Sequence, residues 1–448
     1  MSEANRQPCH AAAGPGLALV DAVAAGRTTV AEIAEKQLRS IQEREDQIHA
    51  FARLDPDAVR AAAHALDHDA PNAAGRPLRG LPVGIKDLID TADLPTEYGS
   101  RLFGGHRPAG DAAVVRKLRA AGALITGKTV TTEFALFDPG PTRNPHDPRR
   151  TPGGSSSGSA AAVAAGMLPV ALGTQTAGSI VRPASFCGVV GFKPTFGGID
   201  RTGVFSISET LDTVGILSRS VADTAAVFDV LRSERSAHDA PRVPGAATGS
   251  EAPGVGRPPR IGFARPIEWD QADGSTRTAL EEFADRLSDS GMDLVPVTLP
   301  AAYDGLTAAQ KTVMDVEVSR SLGALCAKEP ALVSDSLREL LQRGGRTPAA
   351  EYAQAHDLAA RCRAMLPTVF DGIDALMVPA VVGEAPLGTA TGDPVFCRSW
   401  TLLHCPVMSL PLLQGPSGLP LGVQLVGDLH DDDTLLATAS ALMAWETS

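Results

Sequence analysis

Apolar residues recur at helical spacing near the start of the chain, at Val30, Ile33, Ala34, Leu38 and Ile41. Thr29 followed three positions later by Glu32 is a capping-box pattern, which predicts a helix beginning there. The period then changes. Pro82-Val83-Gly84-Ile85 is an apolar run with no polar face, predicting a buried strand that delivers Lys86 at its end. Helical spacing returns over 112–121 and stops at Gly122, and Leu124-Ile125-Thr126 follows as a strand. Further buried strands are predicted at Leu172–Thr174, Val189–Phe192, Arg260–Phe263, 375–382 and 407–412. Ser220 to Asp223 caps another helix that runs to about Leu231, and 303–370 is mainly helical. Strands alternating with helices predict an α/β fold, with helices layered on a sheet.

The chain is expected to form one domain over 15–445. Residues 233–259, rich in Pro, Gly, Ala and Ser, predict a flexible surface excursion, because a strand pattern restarts at Arg260. Residues 1–14 are expected to be a disordered tail. They lack a charged start followed by an apolar stretch, so no signal peptide is expected.

Composition narrows the function classes. The 448 residues are 44% hydrophobic and 21% charged, as in a soluble protein with a large core, and only 4% aromatic. Much of that core must be Ala, Val and Leu. A net charge of −12 argues against a nucleic-acid surface, which needs clustered Lys and Arg. The longest small-apolar run, Ala160 to Gly173, is broken by Gly166 and Pro169 and is too short for a bilayer, so no membrane partner is expected. Six scattered cysteines without a CxxC pair suggest free thiols in a reducing, cytoplasmic setting. Neither they nor the ten histidines show ligand spacing, so no metal and no cofactor is expected.

The chemistry gathers in three places. Lys86 follows an apolar strand, and Gly153-Gly154-Ser155-Ser156-Ser157-Gly158-Ser159 and Gly173-Thr174-Gln175-Thr176-Ala177-Gly178-Ser179 are Gly-rich turns carrying serines. A serine hydroxyl is a poor nucleophile until a neighbour takes its proton. A lysine can take it only when neutral, and burial favours the neutral form. The competing reading is a lysine salt-bridged to a carboxylate such as Asp87. Two other patterns compete. Gly122 to Thr129 fits the Walker A letters, but a helix precedes it and strand-like residues fill its middle, where a P-loop needs the reverse. Gly154 to Gly158 fits GxSxG around Ser156, but Pro141, Pro145, Pro148 and Pro152 precede it, where that elbow needs a strand. His404 and His430, which could complete such a triad, are expected to be surface or supporting residues.

The two Ser/Gly stretches, joined by the small-residue segment Ala160 to Gly166, resemble the amidase signature family. Asn144-Pro145, Phe186-Cys187-Gly188, Phe192-Lys193-Pro194-Thr195, Leu211-Asp212-Thr213-Val214-Gly215 and Gly418 to Gly427 continue the resemblance in the family's order. It implies a single α/β/α domain on a large mixed β-sheet. It also implies hydrolysis of a C–N amide-type bond through a Ser-Ser-Lys triad, with Ser179 as nucleophile, Ser155 as bridge and Lys86 as base. Thr176, Ala177 and Gly178 would supply the oxyanion hole, and Ser156 and Arg182 are candidate substrate-binding positions. In some members an arginine at the place of Arg182 holds a substrate carboxylate; a structural ion pair below the site is the competing reading. The expected partner is a small-molecule aliphatic or aryl amide or a carbamate, acted on by a monomer or homodimer. Gln175 and Ala177 depart from the Asp and Gly of many members, including glutaminase subunits of tRNA-dependent amidotransferases, which favours a free-standing amidase. The alternatives are an ammonia-generating subunit of such a complex and a catalytically idle binding partner.

Overall fold

The computed structural model describes residues 14–69, 75–233 and 257–446. Residues 1–13 and 234–256 lie outside it, and with them most of the predicted tail and excursion.

Eleven strands among the described residues form one sheet. In chain order they are β1 (Phe51–Arg53), β2 (Pro82–Lys86), β3 (Leu124–Thr129), β4 (Val170–Gln175), β5 (Val190–Lys193), β6 (Thr213–Ser218), β7 (Arg260–Ala264), β8 (Asp293–Val297), β9 (Ala375–Pro379), β10 (Val407–Gln414) and β11 (Pro420–Val426). Their spatial order is β1-β3-β2-β4-β6-β5-β10-β11-β9-β7-β8. β2 runs parallel to β3 and β4, and β7 parallel to β8 and β9. The middle is antiparallel, through β4–β6, β6–β5, β5–β10, β10–β11 and β11–β9. The sheet is therefore mixed, as the resemblance implied. Helices cover both faces, and the two largest apolar clusters are formed around Val83, Ile85, Leu172, Ile216 and Leu425, and around Val313, Leu322, Leu376, Val378 and Trp400. Each such side chain, fully buried, contributes about 1.5–3 kcal/mol.

The predicted elements are present with shifted ends. The Thr29–Glu32 capping box opens the helix Val30–Ile48. The helix Ala113–Ala120 ends at Gly122, whose φ of +85° suits a residue without Cβ. The strand expected over 375–382 stops at Pro379, and that over 407–412 extends to Gln414.

One helix positions the site. Ser157–Ala164 is composed of Ser, Gly, Ala and a single Val, and its residues through Val163 are buried. Small residues are required because it lies backbone to backbone against its neighbours. The Gly158 N–H donates to the Val130 carbonyl at 3.0 Å. A Cβ on Gly158 would stand 2.2 Å from the Ala50 carbonyl oxygen and 2.3 Å from the Val130 nitrogen. This approach brings the Gly154–Ser157 turn down onto the carboxyl ends of β2 and β4, the edge at which parallel sheets form their sites.

Candidate active site

Parallel registration pairs Ile85 of β2 with Leu172 of β4, so Lys86 emerges beside Thr174. Lys86 is fully buried. Its Nζ lies 2.8 Å from Ser155 Oγ, 2.7 Å from Thr174 Oγ1 and 3.4 Å from the Thr174 carbonyl oxygen. Among the described residues no carboxylate lies within 4 Å of it. Burial holds the amine well below its ordinary pKa; Asp212 pulls it back up and the Arg182 guanidinium pushes it further down. The salt bridge to Asp87 is not formed. Asp87 instead faces Lys128, whose Nζ lies 3.4 Å from its carboxylate and donates to the Ile89 carbonyl.

Those contacts also dispose of the Walker-like run. Lys128 is fully buried within β3, between strands, with no loop around it. Likewise Ser156 stands at the start of a helix with no strand before it, and His404 is a packed residue, stacked on Phe196 with Nε2 2.9 Å from the Thr210 carbonyl and its pKa lowered to about 3, chiefly by burial.

Ser179 reaches the same place from β4. It is 7% exposed, and its carbonyl accepts the Ser156 N–H at 3.3 Å, tying the two serine turns together. Ser155 is fully buried beneath it. Ser156 does not present its hydroxyl to a substrate: Oγ is 3.3 Å from both the carbonyl oxygen and the nitrogen of Thr174, so it fastens its turn to β4. That geometry corrects the expectation of a binding role for Ser156.

Thr176, Ala177 and Gly178 turn the chain between β4 and the helix Val181–Cys187. Among the described residues no acceptor takes the N–H of Ala177, Gly178 or Ser179. Three successive buried N–H groups without partners are costly unless a ligand uses them, at about 1–3 kcal/mol each. The turn is held from every side. Gln175 Oε1 accepts the Ile180 and Val181 N–H groups at 2.9 and 3.1 Å. The Thr401 hydroxyl donates to the Ala177 carbonyl at 2.8 Å. The Thr176 hydroxyl donates to Asp212 Oδ1 at 2.6 Å, and Asp212 Oδ2 accepts the Ile207 and Ser208 N–H groups. A Cβ on Gly178 would lie 2.8 Å from Pro394 and 3.1 Å from Cys397, so the turn also packs tightly under the 394–397 segment.

Arg182 is 3% exposed. Its Nη2 donates to the Gly154 carbonyl at 2.6 Å, while Nε and Nη1 are buried with no hydrogen-bond partner. Among the described residues no carboxylate lies within ion-pair distance, so the expected structural ion pair is not present. Desolvation lowers its pKa to about 10, which leaves it charged at neutral pH.

Sequence reasoning did not find Thr174, Gln310 or Thr401. Thr174 lies inside the quoted motif, but its contact with Lys86 depends on the β2–β4 register. No group of three or more metal-ligating side chains occurs among the described residues, and no described helix is long and apolar enough to cross a membrane.

Known proteins agree with this architecture. The model of the family described as Amidase matches residues 32–436. One component of the glutamyl-tRNA(Gln) amidotransferase from Anaeromyxobacter sp. (strain K) is 36% identical over 473 residues, covering 94% of each chain. A crystal structure of an amidase superposes with a TM-score of 0.84 at 31% identity, covering 96% of this chain and 99% of that one. The native peptide amidase from Stenotrophomonas maltophilia superposes with a TM-score of 0.80 at 30% identity, covering 97% of both. A single α/β domain on a mixed sheet, the serine turns set on its parallel strands and a match over nine-tenths of the chain lead to one conclusion: this chain belongs to the amidase signature family, whose activity is C–N bond hydrolysis.

Proposed function

We propose that the protein is a free-standing amidase that cleaves a small amide through Ser179, Ser155 and Lys86, without metal or cofactor. One observation carries the reading: a lysine sealed from water, with no carboxylate partner, in contact with a serine of the Gly-rich turn. A charged lysine there would cost several kcal/mol, so the neutral amine is the stable form. A neutral amine has two N–H groups and one lone pair. Thr174 offers two oxygens to the N–H groups, which leaves the lone pair for the Ser155 proton.

The Ser155 oxygen is then free to accept the proton of Ser179 as Ser179 Oγ attacks the acyl carbon. The oxyanion takes the N–H groups of the Thr176–Ser179 turn, where a single donor is worth about 10²–10³ in kcat. As the C–N bond breaks, the proton returns from Lys86 through Ser155 to the departing amine. Water attacks the acyl-enzyme by the same relay, releasing the acid and restoring Ser179.

Arg182 gives the substrate a chemical class. Two buried N–H donors of a guanidinium without acceptors suit an incoming carboxylate. Acidic amides are the preferred substrates on this reading, with aliphatic or aryl amides and carbamates of the same size as the wider set. The enzyme so described acts in the cytoplasm as a monomer or homodimer. The likeness to an amidotransferase component favours a second reading, an ammonia-generating role within a complex. Purified chain assayed alone with glutamine and with a panel of an anilide, a carbamate and a carboxylated amide separates the two. Turnover of the amides with none of glutamine supports the free-standing enzyme; glutamine turnover appearing only with partner proteins supports the other.

A further inference from the structure

A cavity of about 600 Å³ opens beside the loop that Asp212 ties to Thr176. The apolar residues Val204, Phe205 and Ile207 line part of it, and Arg201 and Arg320 bring two positive charges to its wall. Both arginines lack what most arginines of this chain have. Among the described residues no carboxylate lies within 4 Å of either. Arg201 donates one Nη2 bond to the Glu209 carbonyl, while its Nη1 is buried with no partner. Arg320 lies over the Tyr352 ring at 4.4 Å.

The acids around the cavity are already engaged. Glu317 accepts from the Ser208 and Thr210 hydroxyls, the Thr210 N–H and the Tyr352 hydroxyl. Asp212 accepts from Thr176, Ser206, Ile207 and Ser208. Glu209 is exposed to solvent. Two arginines without a carboxylate, facing one cavity in a chain of net charge −12, call for an anion from outside. The two fixed acids lining the cavity would repel a dianion, and the apolar wall asks for a hydrocarbon surface.

We propose that this cavity binds a small monocarboxylate with an apolar body, its carboxylate held between Arg201 and Arg320 and its body against Val204, Phe205 and Ile207. The site is separate from Arg182, and it does not depend on Ser179 being the nucleophile.

Benzoate is the probe, with benzyl alcohol as its uncharged counterpart and inorganic phosphate as competitor, followed by titration calorimetry and ligand-observed NMR on the full chain. Wild type is expected to bind benzoate at least about tenfold more tightly than benzyl alcohol, and Arg201→Ala and Arg320→Ala are each expected to weaken benzoate about tenfold or more, as loss of a charge-assisted bond does. Both side chains reach solvent, so the fold tolerates their loss; unchanged melting confirms it. Arg182→Leu should leave benzoate binding unchanged, and phosphate should not displace it. Equal affinity for the alcohol, or binding that survives both arginine changes, overturns the proposal. Loss on Arg182→Leu alone would place benzoate in the catalytic pocket and overturn it equally. Displacement by phosphate would overturn the choice of an apolar monoanion.

Discussion

The Gln310 side-chain amide donates to the Thr176 carbonyl at 2.9 Å, across 134 residues of sequence. Arg398 in turn holds the Gln310 oxygen. Seven positions along the same helix, Glu317 anchors Ser208 and Thr210, on the loop whose Asp212 takes the Thr176 hydroxyl. Seven residues are about two turns, so one face of the helix Leu306–Cys326 grips the oxyanion turn and its neighbour together.

Gln310→Leu is therefore expected to lower kcat about tenfold, or ~1.4 kcal/mol, with KM within about threefold. An aldehyde inhibitor, which forms the tetrahedral adduct, should weaken in parallel with kcat. A loss of melting temperature with kcat and inhibitor affinity both intact would give Gln310 a purely structural part.

This helix also marks where the sequence stops being legible. Lys86, Ser155 and Ser179 could be read because their setting is local: Gly-rich turns and a short apolar strand. Thr174 sits in the same motif, yet its contact with Lys86 exists only through strand register. Gln310 and Glu317 act over 134 and 107 positions, from a helix whose mixture of Val, Leu, Met, Glu and Gln has no distinguishing pattern. The fold shows the same division. Alternating strands and helices revealed the layers. The antiparallel centre did not show, because β6 and β11 occur in runs legible only as motifs, and the β10–β11 hairpin turns at Gly418. β8 was missed because its residues are half-exposed and carry Pro296.

Ser179→Ala should abolish turnover while leaving thermal melting unchanged. Ser179 is small and near the surface of the turn, and its carbonyl, which keeps the bond to Ser156, is untouched. Residual kcat above about a hundredth of wild type would remove Ser179 from the nucleophile role. Ser155→Ala should fall nearly as far, because the proton then has no path to Lys86.

Activity should rise with pH along one limb as Lys86 loses its proton, and Lys86→Ala should abolish the limb with most of the rate. The neighbours set its position. The Asp212 carboxylate, facing Lys86 from the loop before β6, raises the lysine pKa, and Arg182 lowers it. Asp212→Asn should move the limb to lower pH, and Arg182→Leu should move it to higher pH. The pH dependence of kcat/KM reports the free enzyme and is the measurement. Shifts in the same direction for both variants would assign the limb to another group.

Lys128→Met should destabilise the protein without touching chemistry. It removes one partner of a buried pair, leaving Asp87 uncompensated, at a cost of about 3–5 kcal/mol. Denaturant unfolding should show this loss, while kcat of the folded fraction stays within about twofold of wild type. Neither ATP nor EDTA should change the rate of wild type. A rate restored by one particular metal after chelation would reveal a site that this reading omits.

The last test decides what Arg182 does for substrate. Its Nη2 steadies the Gly154 carbonyl beside Ser155, and its Nε and Nη1 await an acceptor. If a substrate carboxylate is that acceptor, Arg182→Leu should raise KM for an acidic amide by roughly 1.5–3 kcal/mol, or about 10–150-fold. A neutral amide of the same length gains nothing from the guanidinium and should keep its KM. It should share only the change in kcat that follows from loosening Gly154 and shifting the Lys86 limb, so both substrates are compared on the plateau above that limb. Equal KM changes for the two substrates would confine Arg182 to holding the Gly154 turn, and the preference for acidic amides would fall with it.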